Sequence, residues 1–514
     1  MSKPAEFPPP ARPLSPNQAV RYALLLTLTF VAAHAIMFWL ALGPFRPGSN
    51  DVDLYAYWMW QGSNQGAWPG LTESWVYPVG ALIPMVIPQL LGAGAAYLPL
   101  WCTMIALLNA LTCLVAVSFV GLKRACLPLV WWLIFLVLLG PVAITRLDAA
   151  AMPLVLMALL VAVSLPGVAA VLLTVGAWIK VSPGVVLLPL FGVIRRRWRA
   201  VVAPAALTCV AVAALQLLAG GKPNLLLSFV SAEADRGLQV ESVLATPVVV
   251  LHAIKGEELW VYNEELFTVE TWGGLADAMA AIGDVAMWLG LIVIGLLVLC
   301  ARRRPVEALL TGAFAAMAAM IVLHKVGSPQ FIAWLAPAVV VGLIALPASR
   351  LWASLAVNLL VVAGLTMVVY PWGYNALLLG DKSLLVVLVV RNLLLTLAFG
   401  LVLWKLVHLA RPGLAEVWGR LRGKPLEGPD DGLEAEPGEA SGGFFGAAFG
   451  EASDGGVDGV FGPQLGTGTG AVGAGGADRS GGEMAGESAL EAWPPPLEGG
   501  IVAQKREAPT GDAY

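Results

Sequence analysis

The sequence predicts an all-α polytopic membrane protein: a bundle of about 12 transmembrane helices with two long extracytoplasmic loops. Three observations predict it. Of 514 residues, 58% are hydrophobic and only 12% charged, where a soluble domain carries about 25% charged residues. The mean hydropathy is +0.79. Apolar runs long enough to cross a bilayer recur between residues 21 and 408, punctuated by clusters of Lys and Arg. The net charge of −4 conceals two unlike parts. From Pro425 onward there are 16 acidic against 3 basic residues, a net of −13, whereas residues 1–424 carry 27 basic against 18 acidic, a net of +9.

Residues 1–20 read as a Pro-rich cytoplasmic lead. The apolar run from Tyr22 to Leu42 is longer than a signal-peptide core and no small-residue cleavage site follows, so a retained first span is expected over 21–43. Residues 44–77 form the first outer loop. An amphipathic or re-entrant piece over 79–94 precedes span 2 (97–121), and Lys123-Arg124 mark a return to the cytoplasm. Span 3 covers 127–145. Residues 149–194 are apolar except for Lys180, and breaks at Pro166-Gly167 and Pro183-Gly184 divide them into three short spans. The run Arg195–Arg199 is a strong cytoplasmic marker. Span 7 is 200–219, and 220–284 is the second and larger outer loop. Span 8 (285–301) ends at Arg302–Arg304, and spans 9 to 12 cover 306–323, 331–348, 351–370 and 383–408. Twelve crossings with both termini inside put every basic cluster, with Arg350, on the cytoplasmic side. Residues 411–514 are rich in Gly, Ala, Pro and acids and cannot bury enough apolar surface to offset ordering, so a disordered cytoplasmic tail is expected. The five cysteines lie in or beside apolar spans, with no disulfide framework and no metal-type spacing.

Ionisable groups are rare in such a chain and each is informative. This threading gathers Asp51, Asp53, Glu73, Arg146, Asp148, Lys180, Arg236, Glu241, His324 and Lys325 at the outer surface. The stretch Ser49–Trp58 is the focus. A carboxylate at the membrane surface is the group needed to take a proton from an acceptor hydroxyl. Asp51 and Asp53 are both candidates, and one of them faces the cavity. The structural alternative is a solvated pair, or a cap on a helix starting near Tyr55. Lys180 is the one charge in a long apolar stretch and calls for an anionic partner; snorkelling to headgroups is its alternative. Arg146 and Asp148 could pair with each other. His324-Lys325 could bind phosphate or shuttle a proton, or serve as an interfacial cap. Tyr55, Trp75 and Tyr77 belong to an aromatic-rich loop that serves as an interface belt; Trp75 and Tyr77 are also possible platforms for sugar stacking. No third acidic ligand stands at suitable spacing, so no metal and no other cofactor is expected.

The order of these motifs resembles glycosyltransferase family 87 of the GT-C superfamily, which includes actinobacterial polyprenol-phosphate-mannose-dependent α-mannosyltransferases. The resemblance rests on Asp51-Val-Asp53-Leu-Tyr55, Trp75-Val-Tyr77-Pro78, Arg146-Leu-Asp148, Lys180-Val-Ser-Pro183, Arg236-Gly-Leu-Gln239-Val-Glu241-Ser242 and His324-Lys325-Val-Gly-Ser328-Pro329-Gln330. It covers residues 20–410 and not the tail. Tyr77-Pro78-Val79 stands where relatives often have Tyr-Pro-Pro. The resemblance implies a GT-C bundle in the plasma membrane with its site facing outside and Asp51 as base, Asp53 being the second choice. It places Lys180 near the donor phosphate. Arg146, Asp148, Tyr55, Trp75, Tyr77, Arg236, Glu241, His324, Lys325 and Gln330 complete the substrate-binding set. The implied partners are a polyprenyl-phosphate-linked sugar, mannose foremost, and an envelope glycolipid or glycan, among membrane lipids and without nucleic acid. A lipid-linked-sugar flippase or an envelope polysaccharide polymerase is the alternative reading.

Overall fold

A computed structural model describes residues 14–44, 48, 50–92, 94–234, 236–263 and 268–422. The chain divides into two units, Met1–Ala435 and Glu436–Tyr514, of which the second lies outside the described residues. So does the part of the expected acidic tail beyond residue 422.

Helix α1 (Pro16–Leu42) opens with a capping box: Ser15 accepts from the Gln18 amide while the Gln18 side chain accepts from the Ser15 amide. Helix α2 (Asn50–Gln65) fills most of the first loop. It is followed by α3 (Leu82–Leu91), α4 (Tyr97–Val120), α5 (Leu122–Leu139) and the single turn α6 (Val142–Thr145). Then come α7 (Asp148–Val161), α8 (Pro166–Ile179), α9 (Leu187–Val193) and α10 (Ala203–Leu218). The second loop holds α11 (Ser228–Ala234), α12 (Thr246–Lys255) and an antiparallel pair, β1 (Val261–Asn263) with β2 (Thr268–Glu270). The last third is α13 (Gly274–Cys300), α14 (Pro305–Val322), α15 (Ala336–Ala345), α16 (Arg350–Met367), α17 (Tyr374–Leu378) and α18 (Lys382–Leu421).

Among the described residues, eight helical stretches are long and apolar enough to cross a membrane. The other expected spans are shorter. Helices α7 and α8 have 14 residues each, about 21 Å at the α-helical rise against a hydrocarbon core of about 30 Å. Helix α7 lies inside the protein rather than against lipid, with every residue but Leu154 buried, whereas α8 buries one side and exposes Val168 and Val171. The long helices α1, α10 and α13 surround this centre and present apolar side chains outward, such as Leu28, Leu218 and Trp288. That face suits a hydrocarbon solvent. Span 8 starts earlier than expected, because α13 begins at Gly274 and takes the end of the second loop into its first turns. Helix α18 likewise runs past the expected end of span 12.

Two contacts show how the bundle closes. Nδ2 of Asn109 on α4 lies 3.2 Å from Nε2 of His34 on α1, whose Nδ1 is 2.9 Å from the Phe30 carbonyl. This is a polar clip inside an apolar interface. At Gly342, a Cβ would sit 2.3 Å from the Trp352 ring, so α15 and α16 approach at a distance only glycine allows.

Candidate active site

The first loop is helical from Asn50, so the alternative of a cap on a helix starting near Tyr55 does not hold; both acids lie in the first turn, where carboxylates suit the helix dipole. Two residues are about 200° apart around a helix. The acids therefore diverge: the Asp51 side chain is 32% exposed and meets Arg146, whereas Asp53 faces outward and is exposed.

Arg146 sits in extended backbone between α6 and α7 and is 5% exposed. Its guanidinium pairs with Asp51 Oδ1, donates to the Tyr370 hydroxyl at 2.6 Å and lies 5.5 Å from the centre of that ring. Asp148, two residues on, begins α7 and is 2% exposed. It accepts from Trp334 Nε1 at 2.6 Å and has Lys180 Nζ at 3.9 Å. Arg146 and Asp148 thus do not pair with each other. Each takes its partners from other elements instead. Lys180 caps the C-terminus of α8, which returns antiparallel beside the start of α7. Its ammonium lies 4.8 Å from the Tyr77 ring centre and 5.7 Å from that of Phe331. Snorkelling gives way to a partnered, half-enclosed cation.

Tyr55 joins the two halves. Its hydroxyl accepts from the Leu147 amide at 3.3 Å, between Arg146 and Asp148. Burial pushes this phenol well above its ordinary range, and neighbouring Tyr77 and Asp148 push it further; it stays protonated. Trp75 is 4% exposed and makes edge contacts at 5.5 Å with Trp58 and with Tyr77. It is a wall of the site and not the open stacking platform expected; Tyr77 presents its face to Lys180. The Trp75 amide donates to Ser228 Oγ at 3.2 Å, which ties the first loop to the second.

The second loop supplies Glu241, 6% exposed and paired with Arg391 of α18 at 3.0 Å. Burial raises its carboxyl, and Arg391 first and then Arg146 oppose that rise. The expectation of a substrate contact at Glu241 gives way to a buried ion pair. Lys325, 5% exposed, is likewise committed, to Asp284 of α13 at 3.1 Å. Its carbonyl receives the Gln239 amide at 3.1 Å, and the Gly327 amide donates to Gln239 Oε1 at 3.1 Å. The turn carrying His324 and Lys325 is thereby fastened to the second loop, with His324 half-buried on it. Arg236 is half-buried at the head of that loop, beside Gly237, whose amide donates to Glu270 Oε1 at 3.0 Å. Gln330 is half-buried in the short helical turn before α15.

The structure thus gathers Asp51, Arg146, Tyr55, Asp148, Lys180, Tyr77 and Glu241. It adds Tyr370, Trp334 and Arg391, which the sequence reading missed. Arg391-Asn392 is a polar pair inside an otherwise apolar run, the signal by which intramembrane functional residues are found. No group of three or more His, Cys, Asp or Glu side chains among the described residues is arranged to hold a metal ion.

Residues 75–329 match glycosyltransferase family 87. The matched stretch includes Trp75, Tyr77, Arg146, Asp148, Lys180, Arg236, Glu241, His324 and Lys325; Asp51, Asp53, Tyr55 and Gln330 fall outside it. Neither the curated proteins nor the solved structures yield a match. With eight membrane-length helices among the described residues, a carboxylate paired with a buried arginine and this family match, the chain belongs to glycosyltransferase family 87 and is a multi-pass membrane glycosyltransferase.

Proposed function

We propose that the protein moves a sugar, mannose foremost, from a polyprenyl-phosphate donor to an envelope glycolipid or glycan on the outer face of the plasma membrane. The reaction is an inverting single displacement. The acceptor oxygen attacks the anomeric carbon as the bond from that carbon to the phosphate oxygen breaks. The acceptor proton passes to Asp51, and the electron pair leaves with the polyprenyl phosphate. The observation that carries this reading is the half-exposed Asp51 carboxylate at the end of a loop helix, beside Arg146 and near the Lys180–Asp148 pair.

Arg146 engages Oδ1 of Asp51, which leaves Oδ2 to receive the proton. Lys180 is the cation for the departing phosphate, since fixed positive groups stabilise charge that develops in the transition state. Its side chain is 17% exposed and points between two aromatic faces, so it reaches ligand without full desolvation. His324 is assigned to the phosphate side as well, and Arg236 and Gln330 to the rim.

The test is transfer of label from radiolabelled lipid-linked mannose, and separately lipid-linked arabinose, to membrane lipids and glycans. Asp51→Asn should abolish transfer with expression intact. Retained activity in both Asp51→Asn and Asp53→Asn would sink the assignment of the base. Movement of the lipid-linked sugar across liposomes without transfer would favour a flippase instead.

A further inference from the structure

Arg391 and Asn392 stand together on α18, 3% and 2% exposed, in a run otherwise made of Leu and Val. Two polar side chains are costly there unless every group is matched. Four of the five guanidinium N–H groups are matched. Nη1 donates to Glu241 Oε2 at 3.0 Å and Nη2 to the Glu241 carbonyl, while Nε and Nη2 each donate to Asn392 Oδ1 at 3.0 Å. Asn392 in turn donates to the Ser242 carbonyl at 3.2 Å and to Thr246 Oγ1 at 2.8 Å. One helix thereby grips backbone and side chain of the second loop at Glu241 and Ser242.

Arg146 adds its positive charge to that of Arg391 in holding the Glu241 carboxylate ionised. Tyr374 of α17 lies beside Glu241, and its ring contacts Tyr370 edge-on at 5.3 Å; Tyr370 accepts from Arg146, and Arg146 pairs with Asp51. Charges therefore alternate in the order Asp51, Arg146, Glu241, Arg391. The other titratable neighbours are Asp53 on the helix of Asp51, exposed, and Asp148, which is taken up by Lys180 and Trp334.

We propose that Arg391 and Glu241 form a positioning pair that sets the basicity of Asp51 through Arg146. Glu241 draws on the charge of Arg146 and so keeps that guanidinium from suppressing the carboxylate beyond use; Arg391 keeps Glu241 ionised and in place. The proposal rests on Asp51 being the base, but its test does not need turnover.

The titration of Asp51 is read from the protonated-carboxyl infrared band of the purified full-length protein, with Asp51→Asn subtracted as reference. Glu241→Gln removes the competing anion, so the Asp51 midpoint should fall by about one pH unit or more, the size of a single close charge. Loss of the band down to the most acid point at which wild type shows it counts as that fall. Glu241→Gln with Arg391→Met removes both charges and should return the midpoint toward wild type. Arg391→Lys keeps the charge without the fork and should leave it near wild type. Midpoints equal in wild type, Glu241→Gln and the double variant overturn the proposal. Transfer retained by Asp51→Asn would remove the base and leave this coupling standing, so the two failures are distinguishable.

Discussion

Replacing Lys180 with Met tests whether the centre is held by charge. Lys180 Nζ lies 3.9 Å from Asp148 Oδ2, and the side chains are 17% and 3% exposed. At about 4 Å and an effective dielectric near 20, a pair of unit charges interacts by about 4 kcal/mol. Removing one partner of a buried pair costs about 3–5 kcal/mol, because the other charge is left uncompensated. The two routes agree. Asp148 keeps the Trp334 hydrogen bond, so about 3 kcal/mol is expected for Lys180→Met. Asp148→Asn should cost less, about 1–2 kcal/mol, since Lys180 retains some solvent and the faces of Tyr77 and Phe331. The double variant should lie within about 1 kcal/mol of wild type, because neither charge is then orphaned. The assay is chemical unfolding in mixed micelles followed by tryptophan fluorescence, closed as a double-mutant cycle. A Lys180→Met protein as stable as wild type, or single effects that simply add, would refute the reasoning.

Asp51→Asn should lower transfer by at least about 100-fold, the usual range for a lost general base, while Asp53→Asn, on the exposed side of the helix, should change it only a few-fold; initial rates decide. Gly327→Ala would place a Cβ 2.3 Å from the Ser242 backbone. It should cost about 1–3 kcal/mol by overpacking and expose the second loop to limited proteolysis. His34→Leu should break the clip to Asn109 and cost about 0.6–2 kcal/mol, seen as a lower melting temperature with transfer intact. Burial holds the Glu241 carboxyl above its ordinary value. Between those two values the folded chain binds a proton that the unfolded chain has released, so stability falls as pH rises through that window. Glu241→Gln should flatten this slope in unfolding measured against pH.

The lipid-facing helices were legible because each signals through a long apolar run with basic flanks. Helix α7 was legible as a segment but not as a buried one, since beyond Asp148 it is apolar all round and composition does not separate lipid from protein. The acidic pair, Lys180 and the Arg-Leu-Asp motif stood out as rare charges. Their pairings did not. Arg146 and Asp148 are neighbours in sequence and looked like partners, yet each is bound to a residue about 95 or about 30 positions away in the chain, distances that local patterns of period 2 or 3.6 do not report. Tyr370 and Arg391 were hidden for the same reason: they lie in the last spans, and their partners are Arg146 and the second loop.

Membrane solvation alone settled the class of this protein, because a chain this apolar can satisfy its backbone in lipid only as helices. Which acid meets which base was decided by the return of α8 beside α7 and by the docking of the second loop on α18. That closure depends on contacts between residues as far apart as Glu241 and Arg391, and it exists only once the helices have packed.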